Sequence, residues 1–357
     1  MIFKKKYIGL LIIPQIIFIH YISKYPDIIE KYYSLGIYQF SSKIFRFISS
    51  IFPFSIGDIL YTLIVIYFSK SLIKKISTNN FNWQKIIKSI FFYASIFHFL
   101  FYFLWGLNYH RTPLKEKLII DSTYTVKDLK EISKQLIIKS NKLHRQISPN
   151  DSSKTEIPYN IAKINEMASN GYNNLSLLKQ YYPEINLNNL IVKKSLMSLP
   201  LTYLGFSGYI NPFTNESQIN SQIPKNSVPH TASHEIAHQL GFSQELECNF
   251  IAFVNLTNNE DLYFKYNGYT FALKQCLNEL YKYDKPSYNS LLRLLNTGIL
   301  KDFKNNSDFW KKYSNPIESI TKSGYDKFLK FNNINEGIKS YNHSVSLIIN
   351  YLNNKQS

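Results

Sequence analysis

Cysteine is almost absent: the 357 residues contain two, Cys248 and Cys276. No Cys-x-x-Cys occurs, which excludes a cysteine-ligated zinc site and a thiol redox motif. A Cys248–Cys276 disulfide would need an oxidising compartment, and two buried free thiols is the plainer expectation. Acidic residues are also scarce, 24 against 41 basic, for a net charge of +17. Such a balance suits nucleic acid or an anionic membrane surface. The lysines are scattered, with no basic stripe of interleaved aromatics and no zinc-finger, RNA-binding or basic-zipper pattern. Nucleic acid is therefore not an expected partner. Internal repeats are absent. So is a small-residue cleavage site after the first apolar run, so "MIFKKKYIGLLIIPQIIFIHYISK" reads as an uncleaved span and not a signal peptide.

What is abundant is apolar and aromatic sequence, 45% and 16% of the chain, with most of the excess before Leu107. Three runs carry it: Tyr7 to Ile22, Ile56 to Leu72, and Ile86 to Leu107. The second is short, and Lys70 within it can snorkel. The third ends in Tyr102, Trp105 and Tyr109, expected in an interfacial aromatic belt. His20 and His98 lie inside runs and are expected to make polar contacts between helices. Lys4, Lys5 and Lys6 precede the first run, and Lys74, Lys75, Lys85 and Lys88 separate the second and third. The loop between the first two mixes Lys24, Lys31, Lys43 and Arg46 with Asp27 and Glu30. The positive-inside rule places the amino terminus in the cytoplasm and everything after Leu107 outside, in a multi-pass protein of the cytoplasmic (inner) membrane.

The expected organisation is a membrane domain, 1–107, with three transmembrane helices, followed by an extracytoplasmic domain, 108–357. Val126, Leu129, Ile132, Leu136 and Leu143 have helical spacing, and a second helix ends near Gly171. "NLIVKKSLMS" and "LTYLGFSGYINPF" read as strands. Pro229 opens a helix that stops at Gly241, and another begins near Glu245. The rest, Asp261 to Leu352, reads as helices broken around Pro286, Gly298, Pro316 and Gly324.

The helix opened by Pro229 carries "HEIAH", residues 234–238. His234 and His238 are four apart and share a face, so two imidazoles can meet one zinc ion at ~2.0–2.1 Å. Zinc lowers the pKa of bound water toward ~7, and Glu235 beside the pair is placed as general base. A third ligand must come from elsewhere. His230 is four before His234 but about 12 Å along the axis from His238 at ~1.5 Å per residue, so it is expected at the rim or in contact with substrate. Glu245 and Glu247 are two apart and face different ways on a helix, so only one ligates. Glu245 is favoured, with Asn249 four later as a hydrogen-bond partner of a ligating histidine; Glu247 is the alternative. Upstream, Gly208, Tyr209, Asn211 and Phe213 are candidates for an edge strand that binds substrate backbone, or for an ordinary hairpin. Tyr209 and Tyr341 are candidate oxyanion donors.

"HEIAHQLGF" followed by "ELECNFIAF" resembles the gluzincin metallopeptidases. The second stretch is similar to the E-x-E-A-N/D-x-x-A pattern of membrane-embedded prenyl-protein peptidases and phage-repressor-cleaving peptidases. Most of the chain resembles an uncharacterised bacterial family with three amino-terminal spans, a "GD" at the second (Gly57–Asp58), a "WGLNY"-like end to the third, and an HExxH domain. The resemblance implies a predominantly α protein in which an α-rich α+β zincin-like catalytic domain follows the spans. It also implies Zn2+ held by His234, His238 and Glu245, and a peptide or protein substrate. One departure stands out: only six residues, 239–244, separate His238 from Glu245, far fewer than in typical gluzincins. The spacing of metzincins would put a third histidine where Gln244 stands. The expected activity is zinc-dependent peptide hydrolysis at the membrane, the alternative a zinc-binding membrane scaffold without turnover.

Overall fold

The computed structural model describes residues 5–78, 82–119, 123–332 and 344–354. It is mostly helical, with three short strands among the described residues. Helices α1 (Tyr7–Ile22) and α2 (Pro26–Ser50) form a pair bent by 102°, while α3 (Ile56–Ser77) and α4 (Trp83–Leu104) are each long and apolar enough to cross a membrane. The bent pair adds a third crossing only if it counts as one span. His98 on α4 meets Gln15 of α1 at 2.9 Å, the polar inter-helix contact expected of it. His20, by contrast, is exposed, because its side of α1 has no helix against it.

Two expectations about these segments are corrected. Most of the stretch read as a loop between spans is α2, and two of its charges, Glu30 and Arg46, turn into the protein. Glu30 and Arg46 are 4% and 0% exposed. Arg46 donates to the Asn186 carbonyl at 2.8 Å, and Glu30 takes two bonds from Arg111 at 2.8 and 2.9 Å. Tyr102, Trp105 and Tyr109 do not form a lipid-facing belt either. All three are buried, and Tyr102 donates to Asn332 at 2.9 Å. Trp105 Nε1 donates to the His238 carbonyl at 3.4 Å, so both of these polar tips find protein partners, which removes the reason such an aromatic would sit at the lipid headgroups.

Beyond the spans, one apolar core runs from Leu114 to Leu352. It gathers α5 (Val126–Ile147), α6 (Ile161–Tyr172) and the helices described below. Helix α5 starts at a reciprocal Thr125–Asp128 capping box and buries Leu129, Ile132, Leu136 and Leu143 of the face its spacing predicts, while Val126, its first residue, is exposed. Strand β1 (Val192–Lys194) precedes α7 (Ser198–Leu204), and β2 (Gly208–Asn211) and β3 (Glu216–Ile219) form a hairpin. The sheet order is β1-β3-β2, with β1 parallel and β2 antiparallel to β3, so β2 is an edge. The expected strand around Leu201 is thus helical up to Gly205. Pro200 fits a first turn, and the extended run begins only at Gly208.

Helix α8 (Val228–Gln239) has Pro229 in its first turn. Gly241, at φ +95°, reverses the chain within the six-residue gap, and α9 (Glu245–Asn258) returns alongside α8. That left-handed conformation suits glycine and no β-branched residue. Helices α10 (Leu262–Tyr283), α11 (Lys285–Leu292), α12 (Thr297–Tyr313), α13 (Pro316–Phe331) and α14 (Ser344–Asn354) complete the chain. Pro286 and Pro316 sit in first turns, as expected, whereas Gly324 lies inside α13 with open space around it and breaks nothing. Cys248 and Cys276 are free, buried thiols.

The span α3 is anchored in the sheet. The Ile56 and Gly57 N–H groups donate to Glu216 at 3.1 and 2.6 Å, and Lys193 of β1 pairs with the same carboxylate at 2.6 Å. A carboxylate at a helix amino terminus is favoured by the helix dipole. Both partners are nearly inaccessible, so removing one strands the other's charge. Lys193→Met is expected to cost about 3–5 kcal/mol, and Lys193→Met/Glu216→Leu less than either single change. Thermal unfolding of the detergent-solubilised chain checks this; a double variant less stable than both singles would contradict it.

Candidate metal centre

The α8–α9 reversal brings three side chains to one point. His234 and His238 lie one turn apart with ring centroids 4.8 Å from each other. Their Nε2 atoms face Glu245 Oε2 at 3.0 and 3.5 Å. One donor atom from each of His234, His238 and Glu245 falls within 4.8 Å of the others, all three residues buried. The outward nitrogens are tied down: His234 Nδ1 meets Asn249 Oδ1 at 2.9 Å, and His238 Nδ1 meets the Phe242 carbonyl at 2.8 Å. Both partners are acceptors, so each Nδ1 carries the proton and each Nε2 lone pair points inward.

Glu245 Oε1 accepts from the Tyr325 hydroxyl, while Oε2 has no partner beyond the two imidazoles. An orphaned buried carboxylate oxygen facing two inward lone pairs is an assembly of acceptors alone, and acceptors crowd together only where a cation balances them. Two neutral imidazoles and one carboxylate are the donor types zinc takes in catalytic sites, with a coordination position left over. The residues present fit a zinc ion.

Glu235 stands next to the pair, and its Oε2 is buried without a partner. Burial pushes its carboxyl up to about 7. Gly208 of β2 backs onto it: a Cβ there would lie 2.7 Å from both Glu235 Oε1 and the Gln218 carbonyl. Alongside runs a cavity of about 850 Å³, lined by Glu235, both histidines, Gly208 and Tyr209 among others.

The other sequence candidates divide. His230 lines the same cavity, stacks on Phe271 with centroids 3.5 Å apart, and stays outside the ligand group, as its distance along the helix requires. Burial and the neighbouring His234 hold it well below ordinary histidine basicity. Glu247, the alternative ligand, lies outside this group. It accepts the Leu114 N–H at 2.6 Å on the far side of α9, where burial pushes its carboxyl up to about 7. Tyr209 lines the cavity with its ring, but its hydroxyl donates to Asp58. Asn211 is fully buried and caps the hairpin turn through Phe213 and Thr214 N–H bonds of 3.0 and 3.2 Å, outside the cavity wall. Phe213, at the hairpin tip, packs on Tyr61 and Phe97 of α3 and α4. Tyr341 lies outside the described residues.

Several contributors were invisible to spacing. Tyr325 bonds the Glu245 carboxylate from a helix 80 residues away. Trp105 packs edge-on against His238 at 6.2 Å. Arg111 joins Glu30 to the Gly241 carbonyl, 2.9 Å away, and so braces the reversal. Asp58 holds Tyr209 and also accepts from Ser195 and the Leu196 N–H at 2.9 and 2.7 Å. Only Asp58 and Trp105 had a signal in the sequence, as parts of "GD" and "WGLNY".

The family model described as "Protein of unknown function (DUF3810)" matches residues 33–349, from within α2 to α14. No curated protein and no solved structure matches the chain.

The geometry separates the two glutamates by experiment. Glu245→Ala is expected to abolish stoichiometric zinc uptake by the full chain, and Glu247→Ala to preserve it. Asn249→Ala should weaken affinity about 10–100-fold by freeing the His234 ring. Competition titration against a chromophoric chelator reads all three; equal retention by the two glutamate variants would refute the assignment.

Proposed function

For this chain, which belongs to the DUF3810 family, we propose the function of a membrane-anchored, zinc-dependent metallopeptidase with a zincin-like catalytic domain. The observation that carries the reading is the meeting of two inward Nε2 atoms and the Glu245 carboxylate beside an unpartnered Glu235 oxygen. His234, His238 and Glu245 would hold the ion. Zinc bound there supplies Lewis acidity toward a peptide carbonyl and draws the pKa of water toward ~7. Glu235 Oε2 takes the proton of the attacking water and returns it to the leaving nitrogen. The outer edge of β2, which pairs only with β3 among the described residues, aligns the substrate backbone by strand addition. Asp58 locks the Tyr209 ring in the cleft wall, and His230, with a buried Nε2 lacking a partner, contacts the substrate.

In this reading α1, α3 and α4 cross the cytoplasmic membrane, with the amino terminus inside and residues 108–357 outside. Both α3 at its start and α4 at its end meet the domain, as antiparallel neighbours entering from one side must.

The test is proteolysis of a random quenched-fluorescence peptide library by the zinc-loaded full chain. Glu235→Gln should lower turnover about 10²–10⁴-fold with zinc stoichiometry unchanged. Gly208→Ala should lower turnover through displacement of Glu235, again with zinc retained. A wild type that holds zinc and cleaves nothing in the library would favour a scaffold.

A further inference from the structure

The cleft is built partly from the membrane segments. Tyr61 of α3 and Phe101 of α4 line it, and Trp105, next after α4, closes it beside His238. The rest of the lining is equally apolar: Leu201 and Leu204 of α7, and Phe328 of α13, which packs on Phe101 with ring centroids 6.0 Å apart. On the same two helices, α7 and α13, Leu199 and Ile320 are 54% and 72% exposed. Isolated exposed apolar residues are ordinary, but these two sit on adjoining helices, each within two residues of a cleft-lining residue, Pro200 and Lys322.

Helix α2 shows the same inversion. Gln39, Ser42, Arg46 and Ser49 turn inward onto the domain, while Phe40, Ile44, Phe47 and Ile51 face out. An amphipathic helix in water does the reverse. With its apolar stripe outward and its axis bent 102° from α1, α2 has the form of a helix lying in the membrane surface. Away from the spans the cleft changes character. Past His230 and Phe271 it continues into a second cavity of about 480 Å³ lined by Asn226, Asn267, Asn306 and Asp302. The polarity therefore runs from apolar at the span ends to polar at the far end, with the metal ligands in the apolar part.

We propose that the mouth of the cleft lies at the bilayer surface and takes an apolar stretch of a membrane-bound polypeptide, cut where it leaves the lipid. The inference deepens the peptidase reading and rests on it. A polypeptide is the occupant because the edge strand β2, which forms one wall, offers backbone hydrogen bonds along its free side. The apolar walls select the residues that flank the cut, and the polar cavity receives the part that lies in water.

Two measurements on the full chain in phosphatidylethanolamine–phosphatidylglycerol vesicles test it. The first needs no turnover. Nitroxide is attached at Leu199→Cys and at Ile320→Cys; native Cys248 and Cys276 are fully buried, so the label enters the new sites. Relaxation by oxygen is expected to exceed relaxation by a water-soluble nickel chelate at both positions, and the opposite order would overturn the proposal. The second compares two random-peptide libraries anchored by the same apolar helix of about 20 residues. In one the peptide adjoins the helix. In the other about thirty Gly/Ser residues, spreading over roughly 30 Å, intervene. Anchoring is identical, so a preference reports where the cleft stands and not surface concentration. The adjoining library should be cut about tenfold faster. Equal rates, or faster cutting of the spaced library, would overturn the proposal and leave the peptidase reading intact. Cleavage of neither would overturn the peptidase reading, while the nitroxide result still reports the two labelled positions.

Discussion

Two imidazoles whose inward nitrogens face a buried carboxylate form an arrangement that cannot persist without help. Each ring would rotate, and each acceptor would seek a donor, unless the surroundings forbade it. Here the Asn249 amide and the Phe242 carbonyl hold the two Nδ1 protons, and Tyr325 holds the outer oxygen of Glu245. The reversal at Gly241 makes these contacts reachable, because it folds α9 back on α8 within six residues. Arg111 and Glu30 fasten that reversal to α2. The site is thus held by elements from four distant parts of the sequence, and its precision comes from that distribution.

The same contacts make the membrane segments part of the domain and not a tether to it. Glu216 and Asp58 join the start of α3 to the sheet, and Phe213 at the hairpin tip packs on both α3 and α4. Trp105 passes from the end of α4 to the back of His238. A buried ion pair such as Lys193–Glu216 adds little net stability, but it penalises any arrangement in which one partner is left alone. That penalty fixes the height and rotation of the first turn of α3 against β3. The geometry of the cleft is therefore tied to the position of the spans.

Much of this was legible in the residue order, for reasons that are local. Helical spacing located α5 and its buried face, Pro229 and Gly241 bounded α8, and the four-residue interval placed His234 and His238 on one side. That only one of Glu245 and Glu247 faces the histidines followed from a two-residue offset on a helix; Glu247 bonds the Leu114 N–H instead. The errors came where a local signal has two meanings. Mixed charges between apolar runs read as a loop, yet Arg46 and Glu30 are buried in partnered contacts on α2. Aromatics at the end of a span read as a lipid belt, yet they pack against the domain. Asn211 and Tyr209 were placed on the right strand, but alternation alone did not show that one side chain would cap a turn and the other would bond Asp58.

The order of amino acids by itself determined which segments are apolar, where the helices around the motif begin and end, and that two histidines and a glutamate lie on one helix. These follow from interactions between residues a few positions apart, which spacing encodes directly. What only the tertiary structure decided is which carboxylate completes the group, which nitrogens face inward, and that span residues wall the cleft. Those depend on contacts between residues far apart in the chain, such as Tyr325 with Glu245 or Asp58 with Tyr209. No local period records such a contact, because the chain closes it only when the whole core has packed.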